Sequence, residues 1–193
     1  MTMRAWLAGA AISLLAACTA VPQPAAGNQI PLPKLTPASF AGSVNLVQRL
    51  TISRQDGETA TVGQVEALLE IDPATVKLAG FALGQRMLTL TWDGRQLQME
   101  RHPQLPGQVD GARILRDIQF VYWPAAAINT VLPPGWMLHE AVETRTLLYD
   151  GKPVLTVRYA AAVRWKGRAE LENAAEGYRL TIDSAEQADV STP

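Results

Sequence analysis

The chain has 193 residues, with 17 Lys and Arg against 18 Asp and Glu, a formal net charge of −1 and 48% apolar residues. That length suits one domain, and the apolar share is too high for a disordered chain. Without a basic surplus to displace counterions from phosphates, nucleic-acid binding is excluded, and two His with one Cys are too few for a Cys/His zinc site or a disulfide framework.

The N-terminus reads Met1-Thr2-Met3-Arg4, followed by the uncharged run Trp6–Ala17. Such a run is too short to span a bilayer but suits the apolar region of a secretory signal. The sole cysteine, Cys18, directly follows Leu15-Ala16-Ala17, and this junction resembles a bacterial lipobox. The resemblance implies removal of residues 1–17 and a diacylglyceryl group on the Cys18 thiol. With Thr19, not Asp, second in the mature chain, it implies anchoring in outer-membrane lipid, at the periplasmic face, in a Gram-negative bacterium. More than one acyl chain, at about 0.8 kcal/mol per buried methylene, makes such an anchor stable. The alternative is an ordinary signal peptide with an incidental cysteine.

Residues 18–38 carry Pro22, Pro24, Pro31, Pro33 and Pro37 among Ala, Gln and Gly, and read as a lipidated, semi-extended tether. Residues 39–186 are expected to fold, and 187–193 to form a disordered tail. In the body, Val44, Leu46, Leu50 and Ile52 alternate with Asn45, Arg49, Thr51 and Ser53, and Asp56-Gly57 offers a hairpin turn. Val65–Ile71 continues the pattern until Asp72-Pro73. Val76–Phe81 and Arg86–Trp92 pair around Leu83-Gly84, and Asp93-Gly94 leads into Arg95–Arg101.

Helical period follows. Asp110 is a candidate N-cap, Ile114, Leu115, Ile118 and Tyr122 form a stripe over Gly111–Tyr122, and Arg113 is spaced to pair with Asp117. Pro124 opens a second short helix, Ala125–Leu132, which Pro133-Pro134-Gly135 must end. Trp136–Glu140 is strand-like. Thr144–Tyr149 and the turn Asp150-Gly151 lead to the longest expected strand, with Leu155, Val157, Tyr159, Ala161, Val163 and Trp165 on one face. Tyr178, Leu180 and Ile182 close the series. The expected fold is mainly β: a curved antiparallel sheet of about nine to eleven strands, a half-open barrel capped by two short helices.

Catalysis finds little support, because His102 lies in a loop, His139 in a strand-like stretch, and Asp56, Asp93 and Asp150 are turn residues. Neither a Gly-x-Ser-x-Gly elbow nor a Walker loop occurs. No catalytic residue, metal or cofactor is expected. Hydrophobic residues carry the functional reading. The small run Ala160-Ala161-Ala162 beside Tyr159 leaves volume on a curled sheet for either helices or a ligand. Leu88, Leu90, Trp92, Leu155, Val157, Tyr159 and Ala161 are expected to line that cavity, with Phe120, Trp123 and Trp136 from the helical region. Each Trp has a core-plug role as its alternative.

The clusters Gly84-Gln85-Arg86, Tyr122-Trp123-Pro124, Leu132-Pro133-Pro134-Gly135-Trp136 and Leu148-Tyr149-Asp150-Gly151 together resemble domain of unknown function 3261, a family of bacterial lipoproteins. Similarity runs over most of Val44 to Glu186, with the second proline before Gly135 a variation. The resemblance implies a fold like the lipoprotein carriers LolA and LolB and a setting in aryl-polyene lipid synthesis. It implies an outer-membrane lipoprotein that binds or transfers a hydrophobic lipid, of acyl or aryl-polyene type, with a periplasmic carrier protein as partner. The alternative is a scaffolding lipoprotein docked on an envelope assembly or export complex. Leu83, apolar where a hairpin tip is normally polar, is the candidate membrane contact, by analogy of position with an exposed LolB loop leucine; folding back onto the body is its alternative.

Overall fold

Strand β1 (Val44–Asp56) folds back on β2 (Thr59–Ile71) with Asp56 opposite Thr59, and the alternation read above puts Val44, Leu46 and Gln48 inward. The computed structural model describes residues 29–56 and 59–187, so the signal segment, Cys18, Gly57 and the tail after Gln187 lie outside the described residues. Then follow β3 (Val76–Ala82), β4 (Gln85–Trp92) and β5 (Leu97–Arg101) as a meander. After the helices α1 (Gly111–Tyr122) and α2 (Ala125–Asn129) come β6 (Trp136–Glu140), β7 (Thr144–Tyr149), β8 (Lys152–Tyr159), β9 (Gly167–Asn173) and β10 (Tyr178–Glu186).

These ten strands form one antiparallel sheet in the order β5-β4-β3-β2-β1-β10-β9-β8-β7-β6. Pairing of β1 with β10 joins the two meanders, with Leu50 opposite Ile182. Strands β5 and β6 are the two edges, and the helices connect them. Laid flat, ten strands would be about 40 Å wide, whereas α1, with 12 residues, is about 18 Å long. Yet Met99 of β5 lies against Gly111 at its start, and Arg145 of β7 bonds Phe120 near its end. The sheet therefore curls around α1, and the chain between the edges crosses its inner face. The expected mainly β architecture, an open antiparallel sheet with two helices, is the one found.

Turn chemistry fixes the hairpins. Leu83-Gly84 and Asp150-Gly151 both hold positive φ at both central residues, the geometry that matches strand twist in a two-residue hairpin. α1 has the expected bounds, with the Asp110 side chain accepting from the Ala112 N–H at 2.8 Å. α2 stops at Asn129, short of the expected Leu132. There the Asn129 carboxamide leaves the helix direction to bond the Leu138 backbone in both senses, stitching α2 to β6.

Three departures from expectation have physical causes. Strand β8 ends at Tyr159, because its ladder closes there on Glu143 and, one residue on, on Arg168. Ala has weak β preference, and Ala160–Lys166 forms a connecting loop whose Trp165 packs on Phe40. Strand β9, unexpected from the sequence, offers only Ala169 and Leu171 as inward apolar residues. Finally, residues 30–40 do not hang free. Ile30, Pro33, Leu35, Pro37 and Phe40 are buried, and the Leu35 carbonyl accepts from Trp92 Nε1 at 2.8 Å and Gln119 Nε2 at 2.9 Å. Proline forbids a ladder but not an extended strap, and this one seals the end of the core beside α1.

Candidate functional site

The C-terminal meander holds its side of α1 by a filled, hydrogen-bonded core. Arg145 is fully buried; its Nη1 donates to the Phe120 and Val121 carbonyls at 3.0 and 3.3 Å, and Tyr159 Oη donates to Val121 O at 2.6 Å. A cation is favoured at these last, otherwise unpaired carbonyls of the helix. Glu140 Oε2, 3.0 Å from Arg145 Nη2, supplies the counter-charge. Burial pulls the Arg145 guanidinium below its usual range and pushes the Tyr159 hydroxyl up to about 12, so the tyrosine stays a neutral donor.

The N-terminal meander leaves space. Between its inner face and α1 lies a cavity of about 290 Å³. Leu50, Val65, Leu88 and Ile182 form its floor, and Ile114 and Ile118 of α1 its roof. The gap follows from one cross-strand row, Gln48–Ala67–Gly80–Leu88, where two small residues stand side by side in the register of β1 to β4. A Cβ on Gly80 would come within 3.2 Å of Leu88 Cγ, so a larger residue there would intrude on that wall.

The cavity is apolar along its length and polar at both ends. At the open end stand exposed Arg54 and Arg113 beside Glu176. Arg101 donates to the carbonyls of Pro106 and Val109 and holds the β5–α1 loop, with Leu105 and Val109, over this end. At the closed end lie Gln48 and Tyr122, 4% and 3% exposed.

An ion cluster ties α1 to the β9–β10 turn beside the open end. Arg116 is buried and grips Glu176 through Nη1 and Nη2 at 2.5 and 2.9 Å, while its Nε donates to Asp117 at 3.0 Å. Tyr178 Oη donates to Asp117 Oδ2. Burial pushes the Glu176 carboxyl up, but the Arg116 hydrogen bonds and charge outweigh it and hold the group below its ordinary range. For Asp117 burial wins over Arg116, and its carboxyl is raised. The expected Arg113–Asp117 pair is not the one formed; Arg113 instead lies 3.9 Å from both Asp110 and Glu176.

Of the expected lining residues, Leu88 borders this cavity. Leu90, Trp92, Phe120, Trp123, Leu155, Val157 and Tyr159 are buried in the packed core away from it. Trp92 and Trp123 bond the strap, the latter through Nε1 to Ser39 Oγ at 3.0 Å. Trp136 stacks on Tyr149 at 4.8 Å, and Ala161 lies in the loop after β8. The expected lining drew on β4 and β8 together, whereas the cavity lies between β1–β4, β10 and α1, because Arg145 and the aromatic residues fill the space against β7 and β8. Ala67 and Gly80 were the sequence signal for it, two small residues within strands of clear alternation. Leu83 is fully exposed at its hairpin tip with φ of 50°, not folded back on the body. Cys18 lies outside the described residues. Among the described residues no group of three or more His, Cys, Asp or Glu side chains is placed to hold a metal ion, and no helix is long and apolar enough to cross a membrane.

The family model described as "Protein of unknown function (DUF3261)" matches residues 45–186. Among solved structures, the chain is similar to a LolA superfamily protein from Nitrosomonas europaea, at 12% identity and a TM-score of 0.37, over 82% of this chain and 92% of that one. It is also similar to a DUF1329 family protein from Desulfovibrio piger, at 11% identity and a TM-score of 0.31, over 81% of this chain and 90% of the other. Among curated proteins, none matches.

Proposed function

The chain belongs to the DUF3261 family, and from that premise we propose that its body binds and transfers a hydrophobic lipid in the bacterial envelope, held to the outer membrane by acylated Cys18. The observation that carries this reading is the apolar cavity of about 290 Å³, roofed by one helix and open at a polar end. A dry apolar cavity of about 150 Å³ binds one benzene, and ligand sites start at about 300 Å³. This cavity therefore holds one slender chain, acyl or aryl-polyene, and not several acyl chains at once. The open end would keep a polar headgroup in water while the chain is buried. Leu83, apolar and fully exposed, would touch the bilayer or a carrier protein during transfer.

Nothing in this reading needs bond-making chemistry, and the charged cluster of Arg116, Asp117, Glu176 and Tyr178 beside the cavity is engaged in seating α1. The scaffolding reading draws on a different surface: β6 is an open edge, and Met137 and Val142 beside it are exposed.

One experiment separates the two. A Cys18→Ala chain is expected in the soluble periplasmic fraction, and the purified protein, analysed by mass spectrometry, should retain a single-chain amphiphile. A second chain carrying Cys18→Ala and Ala67→Trp, with the cavity filled, should fold and retain none. Recovery of Cys18→Ala with the outer membrane after a salt wash counts against the anchor. Equal lipid in both chains, or none in either with a fluorescent fatty acid also failing to bind, counts against the carrier.

A further inference from the structure

The closed end of the cavity is built for a polar group, which a plain hydrocarbon chain does not need. Gln48 sits in the middle of β1, on the inner face, among apolar neighbours. Its Nε2 donates to Tyr122 Oη at 2.7 Å and to Ser184 Oγ at 2.9 Å. Its Oε1 has no partner among the described residues, although the side chain lines the cavity and is more than nine-tenths buried. Turning the carboxamide over exchanges the two atoms and still leaves one of them facing the cavity without a bond. An amide oxygen with no partner in the protein must find one in the cavity, water or a ligand group, and a Leu at this position would have closed the row without that requirement.

The charge distribution restricts what can bind there. The cavity's charged residues, Arg54, Asp110, Arg113, Asp117 and Glu176, belong to β1 beyond Ile52, the cap and first seven residues of α1 and the β9–β10 turn. Gln48 and Arg54 are six residues apart on one strand, about 20 Å, so no cation of that set reaches the closed end. A carboxylate or phosphate buried beside Gln48 and Tyr122 would be unpaired. The Tyr122 hydroxyl already accepts from Gln48 and lies 3.4 Å from Ser184 Oγ, so a neutral hydroxyl would donate to the free carboxamide oxygen and accept from Tyr122 in place of that long contact.

We propose that the closed end is a specificity subsite, formed by Gln48 and Tyr122, for a neutral hydroxyl group at the buried terminus of a slender apolar ligand. This rests on the carrier reading above, and adds to it the chemistry of the ligand's far end. A charged or zwitterionic head, where the ligand has one, stays at the end lined by Arg54 and Arg113. The site then distinguishes chains by what they carry at the tip, since a plain methyl terminus leaves the free carboxamide atom of Gln48 unmet.

The test uses a matched pair of probes, dodecanoate and 12-hydroxydodecanoate, each displacing a fluorescent fatty acid from the full Cys18→Ala chain. The hydroxylated probe should bind about tenfold more tightly. Gln48→Leu should invert that ratio by making the closed end apolar, and Tyr122→Phe, which keeps the ring and its packing, should bring the ratio towards one. If Gln48→Leu does not fold, Tyr122→Phe decides alone. Equal binding of both probes by the parent chain overturns the subsite and leaves the carrier reading standing. A preference that survives Tyr122→Phe assigns it elsewhere and also overturns the proposal. Binding of neither probe removes the carrier reading itself.

Discussion

Arg116 shows how a single side chain commits a helix to one seat. A buried guanidinium must be paired, and Glu176 and Asp117 together meet it while Tyr178 completes the cluster. Removing one partner leaves much of the charge uncompensated, so Glu176→Gln should cost about 2 kcal/mol at neutral pH, roughly 4–8 °C in melting temperature for a chain of this size. The Glu176 carboxyl is held below its ordinary range, so its contribution is present above the unfolded value of about 4.3 and is lost as the pH falls through the folded value. The melting-temperature gap between the parent and Glu176→Gln should therefore be widest near neutrality and close below about pH 4. Asp117 is raised chiefly by burial and also by the charge of Glu176, so Glu176→Gln removes part of that opposing shift as well. A gap that persists unchanged at pH 3 would show that Glu176 acts through packing alone. Little of this was legible in the sequence: i, i+4 spacing pointed to Arg113 and Asp117, while the actual partner of Arg116 lies sixty residues away on a turn that no local pattern marks.

At the scale of elements, local rules served well where they were strong. Gly at hairpin tips, the Asp110 cap and the helical stripe gave α1 and most strand pairs nearly residue by residue. They failed where the signal was thin: β9 presents two apolar residues and Asn173 inward, and the Ala run after Tyr159 alternates with nothing. The Ala160–Ala162 run points to a cavity that reaches β8 as well as β4, whereas the small residues beside the cavity found are Ala67 and Gly80. The β3–β4 hairpin violates two local preferences at once. Leu83 adopts positive φ, which costs a residue with a Cβ about 1–2 kcal/mol, and exposes its whole side chain to water. Sites that break local rules are where function is sought. With no contact to lose, Leu83→Glu should shift stability by less than about 0.5 kcal/mol and leave fatty-acid uptake intact. Its insertion into a phospholipid monolayer should fall severalfold. Equal insertion by the two proteins removes the membrane role, and a large fall in melting temperature would show that Leu83 is not free of the body.

For the whole molecule, the decisive segment is the one that composition disguised. Five prolines between Pro22 and Pro37 spelled a tether, because proline cannot enter a ladder. Composition carries no record of tertiary partners, and the segment from Ile30 onward packs on the core. Leu35 is buried against α1, its N–H donating to Gln119 Oε1 at 3.2 Å, and its carbonyl joins β4 to α1 through Trp92 and Gln119. Phe40 then packs between Trp123 and Trp165, which ties the strap to the β8–β9 loop. Under the proposed anchor, only ten residues separate Cys18 from Gln29, a reach of at most about 40 Å, so the body would work close to the membrane it serves. The strap and a tether differ in one measurable respect. Leu35→Ala should cost about 2–4 kcal/mol, as for other buried leucines, and lower the melting temperature by roughly 5–15 °C. Leu32→Ala, three residues away on the exposed side of the same segment, should change it by no more than about 1–2 °C. Thermal unfolding of the two variants beside the parent reads both values, and indistinguishable melting temperatures for Leu35→Ala and Leu32→Ala would return residues 30–40 to the tether.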